Sequence, residues 1–228
     1  MRLPVTPLTS LWRELRDEVR QHYRAGRIIV AVDGVEGAGT SAFADGLADV
    51  FAEEGTAVYR ASIDGFQRPR EEREARGRTS AEGYYNDSFD YATFRRVLID
   101  PFRDGAQTGG ATGFQLSAFD AVRDSPVESQ WVTGPRDAVL VVDGIFLLRP
   151  ELRGVWNWSL WLEVPDDIAA RRRALGDGRD PDLTRPSEAR YLDGQQLYLR
   201  DRAPRAAASA IVDNTDLLHP RRVFQDFC

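Results

Sequence analysis

The sequence predicts an α/β fold: a parallel, doubly wound sheet with helices on both faces and a lid region. Three observations carry that prediction. Short apolar runs alternate with amphipathic stretches along almost the whole chain, the pattern of strand–helix units that build a parallel sheet. The first such run, RIIVAV, leads into DGVEGAGTS, a glycine-rich turn with the spacing of a phosphate-binding loop. No internal repeat and no long linker interrupts the 228 residues, so residues 1–228 read as one domain of phosphate-loop NTPase type.

The elements follow in order. Leu11, Leu15, Val19 and Tyr23 stand four apart, which predicts an amphipathic helix over about residues 8–24. Ile28 to Val32 is continuous, short and mostly β-branched, as a buried parallel strand should be. Thr40 to Glu54 places Phe43, Leu47, Val50 and Phe51 on one helical side, and Gly55 closes it. Ala57 to Ile63 reads as a second strand. Arg68 to Arg78 has almost nothing apolar and reads as a solvated insertion or lid. Tyr91 to Phe102 reads as a helix, and Gly105 to Gly113 as a loop or hairpin.

Ala138 to Val142 is a strongly apolar strand ending in Asp143-Gly144, and Trp158 to Val164 is another. Asp166 to Leu175 reads as a helix carrying Arg171, Arg172 and Arg173. The Gly/Pro/Asp/Arg loop Gly176 to Pro186 follows, and about residues 171–187 form the expected lid. Ser187 to Arg202 is helical, and Ala210 to Val212 is a last short strand, so the core spans 27–216. Ligands of such sheets bind beyond the carboxyl ends of the strands. The polar groups after Ile28–Val32, Ala57–Ile63 and Ala138–Val142 should therefore converge on one cleft.

Bulk composition narrows the function classes. A hydrophobic content of 42% supports a sizeable core, and a formal charge of −6 gives no basic field for nucleic acid or membrane. The lone cysteine, Cys228, cannot close an intramolecular disulfide, and the N-terminus has no long apolar stretch of signal-peptide type. A cytoplasmic location is the expectation, with homo-oligomerisation left open. All 30 basic residues are arginine. That bias accounts for arginine in place of lysine, but not for threonine.

The loop is where this matters. Gly34 and Gly39 bracket it at the G-x-x-x-x-G-K-[ST] spacing, Gly37 and Ala38 lie between them, and Thr40 stands where the pattern has lysine. Glycines let several amide N–H groups turn toward one anion, and the helix opening at Thr40 adds its positive end. Ser41 offers a hydroxyl to Mg²⁺. The alternative reading is a glycine-rich strand-to-helix turn with no ligand; the flanking strand and helix favour phosphate. Asp64, after the second strand, is placed to take or orient a proton from an acceptor hydroxyl, or is a turn residue. Asp143, ending a hydrophobic strand, has the position of an acid that holds Mg²⁺ through water, or is a strand-end turn residue. Arg171, Arg172, Arg173 and Arg179 flank the lid loop, where one or two could clamp phosphates. If any residue replaces the missing lysine charge, these are the first candidates and Arg68 the next. His22 and His219 have no ligand-spaced partners, so no zinc site is expected.

With these residues in view, the chain resembles the uridine kinase and phosphoribulokinase branch of the phosphate-loop kinases, most of all the uridine kinase-like proteins of actinobacterial type. The resemblance runs from Arg27 to Asp216 through VDGVEGAGTSAFA, SIDGFQRP, YYNDSFDYATFRRVLIDPF, VLVVDGIFLLRPEL, LWLEVPDDIAARRRA, RYLDGQQLYL and IVDNTD. It implies transfer of the γ-phosphoryl of ATP or GTP, with Mg²⁺, to the 5′-hydroxyl of a uridine- or cytidine-like nucleoside or a related small alcohol. It implies Asp64 as the acid acting on that hydroxyl and Asp90 as the acid holding the ribose. It implies lid arginines at Arg171, Arg172, Arg173 and Arg179, with Arg173 acting in catalysis, and Gln195 on the helix that touches the nucleoside. Phe119 and Asp124 align with the family's pyrimidine-reading tyrosine and histidine. Thr40 is a departure, and it leaves a nucleotide-binding pseudokinase as the alternative.

Overall fold

The computed structural model describes residues 2–177 and 186–224. Arg179 and the middle of the expected lid lie outside the described residues.

The chain opens with α1 (Pro7–His22), where Thr6 accepts the Thr9 amide and Pro7 occupies the first turn. Then come β1 (Arg27–Gly34), α2 (Thr40–Ala52) and β2 (Ala57–Ser62). A 3₁₀ turn, Ile63–Phe66, leads to α3 (Arg70–Arg73), α4 (Ala81–Asp87) and α5 (Tyr91–Phe94). α5 passes through a π turn, Arg95–Ile99, into α6 (Asp100–Asp104). Pro101 has no N–H for the carbonyl of Val97, four residues back. That carbonyl instead accepts the Gln115 amide at 2.8 Å. The returning chain forms a hairpin, β3 (Phe119–Asp120) with β4 (Ser125–Pro126). The second half is β5 (Ala138–Gly144), β6 (Trp158–Glu163), α7 (Asp166–Asp177), α8 (Pro186–Arg202), α9 (Pro204–Ala207), β7 (Ala210–Asp213) and β8 (Arg221–Val223).

The six-stranded sheet has the order β2-β5-β1-β6-β7-β8. β2, β5, β1, β6 and β7 pair in parallel, and β8 pairs antiparallel at the edge. Every residue of the two central strands, β1 and β5, is buried, which is why both read as unbroken apolar runs. α1 packs on α2, where the Trp12 ring lies against Gly46 and meets Phe43 edge-on at 5.9 Å.

Register aligns the functional strand ends. Asp33 pairs with Gly144, and Ser62 pairs with Asp143. The expected convergence of the ends of β1, β2 and β5 on one side is therefore built in. The expectation of a single helix from Tyr91 onward holds in outline, with the π turn inside it. α4, the β3–β4 hairpin and β8 were absent from the sequence reading. No helix among the described residues is long and apolar enough to cross a membrane.

Candidate active site

The loop between β1 and α2 has the shape its glycines suggest. Gly37 and Gly39 have φ of 90° and 88°, a region that L side chains rarely adopt. Gly37 also passes close to α7: a Cβ there would lie 2.3 Å from the Ala169 carbonyl oxygen. Gly39 is the N-cap of α2 and supplies no side-chain cap, so the first amides of the helix stay open. Ala38 spends its amide on the Val35 carbonyl at 2.8 Å. The amides of Gly37, Gly39, Thr40 and Ser41 make no hydrogen bond with described residues outside the helix ladder. From the far side Asn214, of the IVDNTD segment, donates to the Ala38 carbonyl at 2.7 Å. The Thr40 methyl lies 3.1 Å from where a Gly34 Cβ would be, so Gly34 leaves the room that this side chain uses.

Ser41 and Asp143 meet. Ser41 Oγ donates to Asp143 Oδ2 at 2.6 Å, and Asp143 is 1% exposed. The sequence reading missed Arg60 on β2, whose Nη2 lies 2.8 Å from Asp143 Oδ1. Its signal was an arginine inside a strand otherwise written AVY-AS.

Asp64 stands on the turn after β2, where its amide donates to Ser62 Oγ at 3.3 Å and its Oδ1 accepts Gln67 Nε2 at 3.0 Å. It lines a cavity of about 100 Å³ with Glu36 of the loop, Arg73, Tyr84, Arg190 and Tyr191. The charged segment Arg68–Arg78 is thus more than a solvated surface. It carries Arg73 into the cleft, held there by the Arg68 carbonyl at 2.8 Å and Asp124 at 3.2 Å. Arg68 itself pairs with Glu72 at 3.1 Å and donates to the Phe89 carbonyl at 3.2 Å.

The lid arginines divide by helical position. Arg173 is buried, its Nη1 3.4 Å from Glu36 Oε2, and its Nε has no partner among the described residues. Arg172 donates to the carbonyls of Asn214 and Thr215 at 2.9 and 2.8 Å. Arg171 points away: it is exposed and pairs with Asp167 one turn back at 3.0 Å.

Of the residues expected to read a nucleoside, Asp90, Phe119, Asp124 and Gln195 do not themselves line the Asp64 cavity. Asp90 caps α5 by accepting the Thr93 amide at 2.9 Å. Burial raises its pKa, but the Thr93 hydrogen bonds and the Arg68 charge outweigh that and hold it below the ordinary range. Phe119 is buried in the hairpin and does not line the Asp64 cavity. Asp124 accepts the Arg70 amide at 2.9 Å and pairs with Arg73. Gln195 is buried on α8, with its Nε2 lacking a partner among the described residues.

Asp33, immediately before Gly34, is fully buried. It accepts the Gly34 amide at 2.9 Å, the Leu148 amide at 3.1 Å and the Tyr198 hydroxyl of α8. Burial pushes its pKa up to about 7, against the pull of those hydrogen bonds.

A sheet of this order, an uncapped glycine loop at the end of β1 and an acid ending β5 define the phosphate-loop NTPase fold. No family model matches the chain. Among solved structures it is similar to two proteins with provisional names. One is a uridine kinase from Bacillus stearothermophilus, with 20% identity over 89% of this chain and 100% of the other and a TM-score of 0.62. The other is a fructose transport system kinase from Silicibacter sp. TM1040, with 25% identity over 87% and 96% and a TM-score of 0.63. It is also similar to a D-glycerate 3-kinase from Cryptococcus neoformans, with 10% identity over 96% and 100% and a TM-score of 0.58.

Proposed function

We propose that the chain is a phosphotransferase that moves the γ-phosphoryl group of ATP or GTP to a hydroxyl of a small acceptor, a nucleoside or a related alcohol. The observation that carries this is the open-amide loop with Ser41 and Asp143 at one side and Asp64 in the cleft at the other. The neighbouring structures support the class: their names point to a nucleoside, a sugar and a hydroxy acid, all acceptors with a free hydroxyl.

The amides of Gly37, Gly39, Thr40 and Ser41 would hold the phosphate oxygens, with the positive end of α2 behind them. Arg173 has a spare buried donor for the same charge. A serine hydroxyl beside a buried carboxylate suits a hard divalent cation. Among the described residues no group of three or more acid, His or Cys side chains is placed to hold a metal, so phosphate oxygens and water would complete its shell. Magnesium would supply charge neutralisation on the terminal phosphates. Asp64 takes the acceptor's hydroxyl proton as the acceptor oxygen bonds to the γ-phosphorus. The bond from that phosphorus to the bridging oxygen breaks, and its electron pair leaves with the nucleoside diphosphate. Gln67 keeps the carboxylate of Asp64 oriented.

A second reading, a nucleotide-binding protein without turnover, is favoured by Thr40. One assay separates them. MgATP or MgGTP consumption is measured with nucleosides, sugars and hydroxy acids as acceptors. Acceptor-dependent consumption that falls about 10²–10⁴-fold in Asp64→Asn supports transfer. Nucleotide-dependent stabilisation of the fold with no acceptor-dependent consumption supports the second reading instead.

A further inference from the structure

Arg60 is held by every donor it has. A guanidinium carries five N–H groups. Nε donates to Asp45 Oδ1 at 2.9 Å, Nη1 to the carbonyls of Val141 and Ala61 at 2.8 and 3.2 Å, and Nη2 to Asp143 Oδ1 at 2.8 Å and the Ser41 carbonyl at 3.5 Å. These five acceptors belong to α2, to β5 and to Arg60's own strand. The side chain is a clip between the sheet and the helix that carries the loop. Its planar fork is used in full, so it cannot swing to a bound phosphate without breaking several charge-assisted bonds.

Its charge acts where it stands. Asp143 is buried, and a buried carboxylate needs a counter-charge. In this chain the counter-charge is permanent: Arg60 takes Oδ1 while Ser41 takes Oδ2. A divalent cation approaching Ser41 and Asp143 meets an acid already paired, and a fixed positive charge a few bonds away repels it.

We propose that Arg60 is a positioning residue that sets the divalent-cation affinity of the Ser41–Asp143 site. The nucleotide-free protein holds Mg²⁺ weakly, and the metal arrives on the nucleotide's phosphates. The assignment of this pair to a metal rests on the phosphotransferase reading.

The test is binding, with Mn²⁺ as the paramagnetic probe. Free Mn²⁺ is titrated against the full chain without nucleotide, for the natural protein and for Arg60→Gln and Arg60→Lys. The expected result is weak binding by the natural protein and by Arg60→Lys, which keeps the charge. Arg60→Gln, which removes it, should bind about tenfold or more tightly. Ser41→Ala placed on Arg60→Gln should abolish that gain. Equal Mn²⁺ affinity in the natural protein and Arg60→Gln overturns the proposal. If Arg60→Gln does not fold, tight micromolar Mn²⁺ binding by the natural protein alone overturns it, and weak binding by both the natural protein and Arg60→Lys supports it. Failure of the phosphotransferase reading looks different: no thermal shift with ATP or GTP, with or without Mg²⁺, whatever Mn²⁺ does.

Discussion

At Thr40 the loop carries a methyl and a hydroxyl where the motif's spacing calls for an ammonium group. The cost of lacking a preorganised positive group at a transition state is on the order of 3–4 kcal/mol by analogy with other electrostatic stabilisers. If the rest of the loop is competent, Thr40→Lys should therefore raise kcat by about 10²–10³-fold, read in the acceptor-dependent assay; an unchanged rate would mean that the loop lacks more than charge. Asp33 makes a second residue-level prediction. Its folded pKa is about 7, whereas an unfolded aspartate titrates near about 4. Between those values the folded chain holds the extra proton, so this group's stabilising contribution is complete below about pH 4 and lost as pH rises through about 7. Melting temperature should fall from about pH 5 to 8, and Asp33→Asn should flatten that slope. A slope unchanged in the variant would assign the pH dependence to other groups.

At the scale of elements, α1 and α2 meet through a missing side chain. A Cβ on Gly46 would lie 2.1 Å from the Trp12 ring, so Gly46→Ala forces the ring out of place. The expected loss is about 1–3 kcal/mol in denaturant unfolding, despite alanine's better helix propensity; a stabilised variant would show that the ring can move without loss. The long strands and helices were legible because burial on both faces writes unbroken apolar runs and one-sided burial writes a four-residue stripe. α4 was not legible. AEGYYND is short and contains a glycine, and it is helical because it packs on α8, where a Cβ on Gly194 would lie 2.6 Å from Tyr84. The two-residue strands of the hairpin and the three-residue edge strand β8 carry too few residues for any period to show. Their partners define them.

At the scale of the whole molecule, the loop is tied to two distant segments. Glu36 meets Arg173 of α7 and the Tyr84 hydroxyl of α4, and Asp33 meets Tyr198 of α8. An acid inside an anion-binding loop is unfavourable for a polyphosphate unless its charge is answered, and Arg173 answers it. A double-mutant cycle with Glu36→Gln and Arg173→Gln, read by denaturant unfolding, should give a coupling of about 0.5–3 kcal/mol. Additive effects would mean that the pair does not act as a unit.

The sequence by itself determined the α/β class, the strand ends that form the cleft, and the loop with Ser41, Asp64 and Asp143. Those features depend on local spacing and on the one-dimensional record that burial leaves in a strand. Only the tertiary structure decided which arginine meets which acid around the loop. The one that meets Asp143 is Arg60, from a strand that is not Asp143's own in sequence; Arg173 meets Glu36, and Arg171 faces away. Parallel strands that are neighbours in the sheet are far apart in the chain, so the side chains they bring together leave no periodic signature.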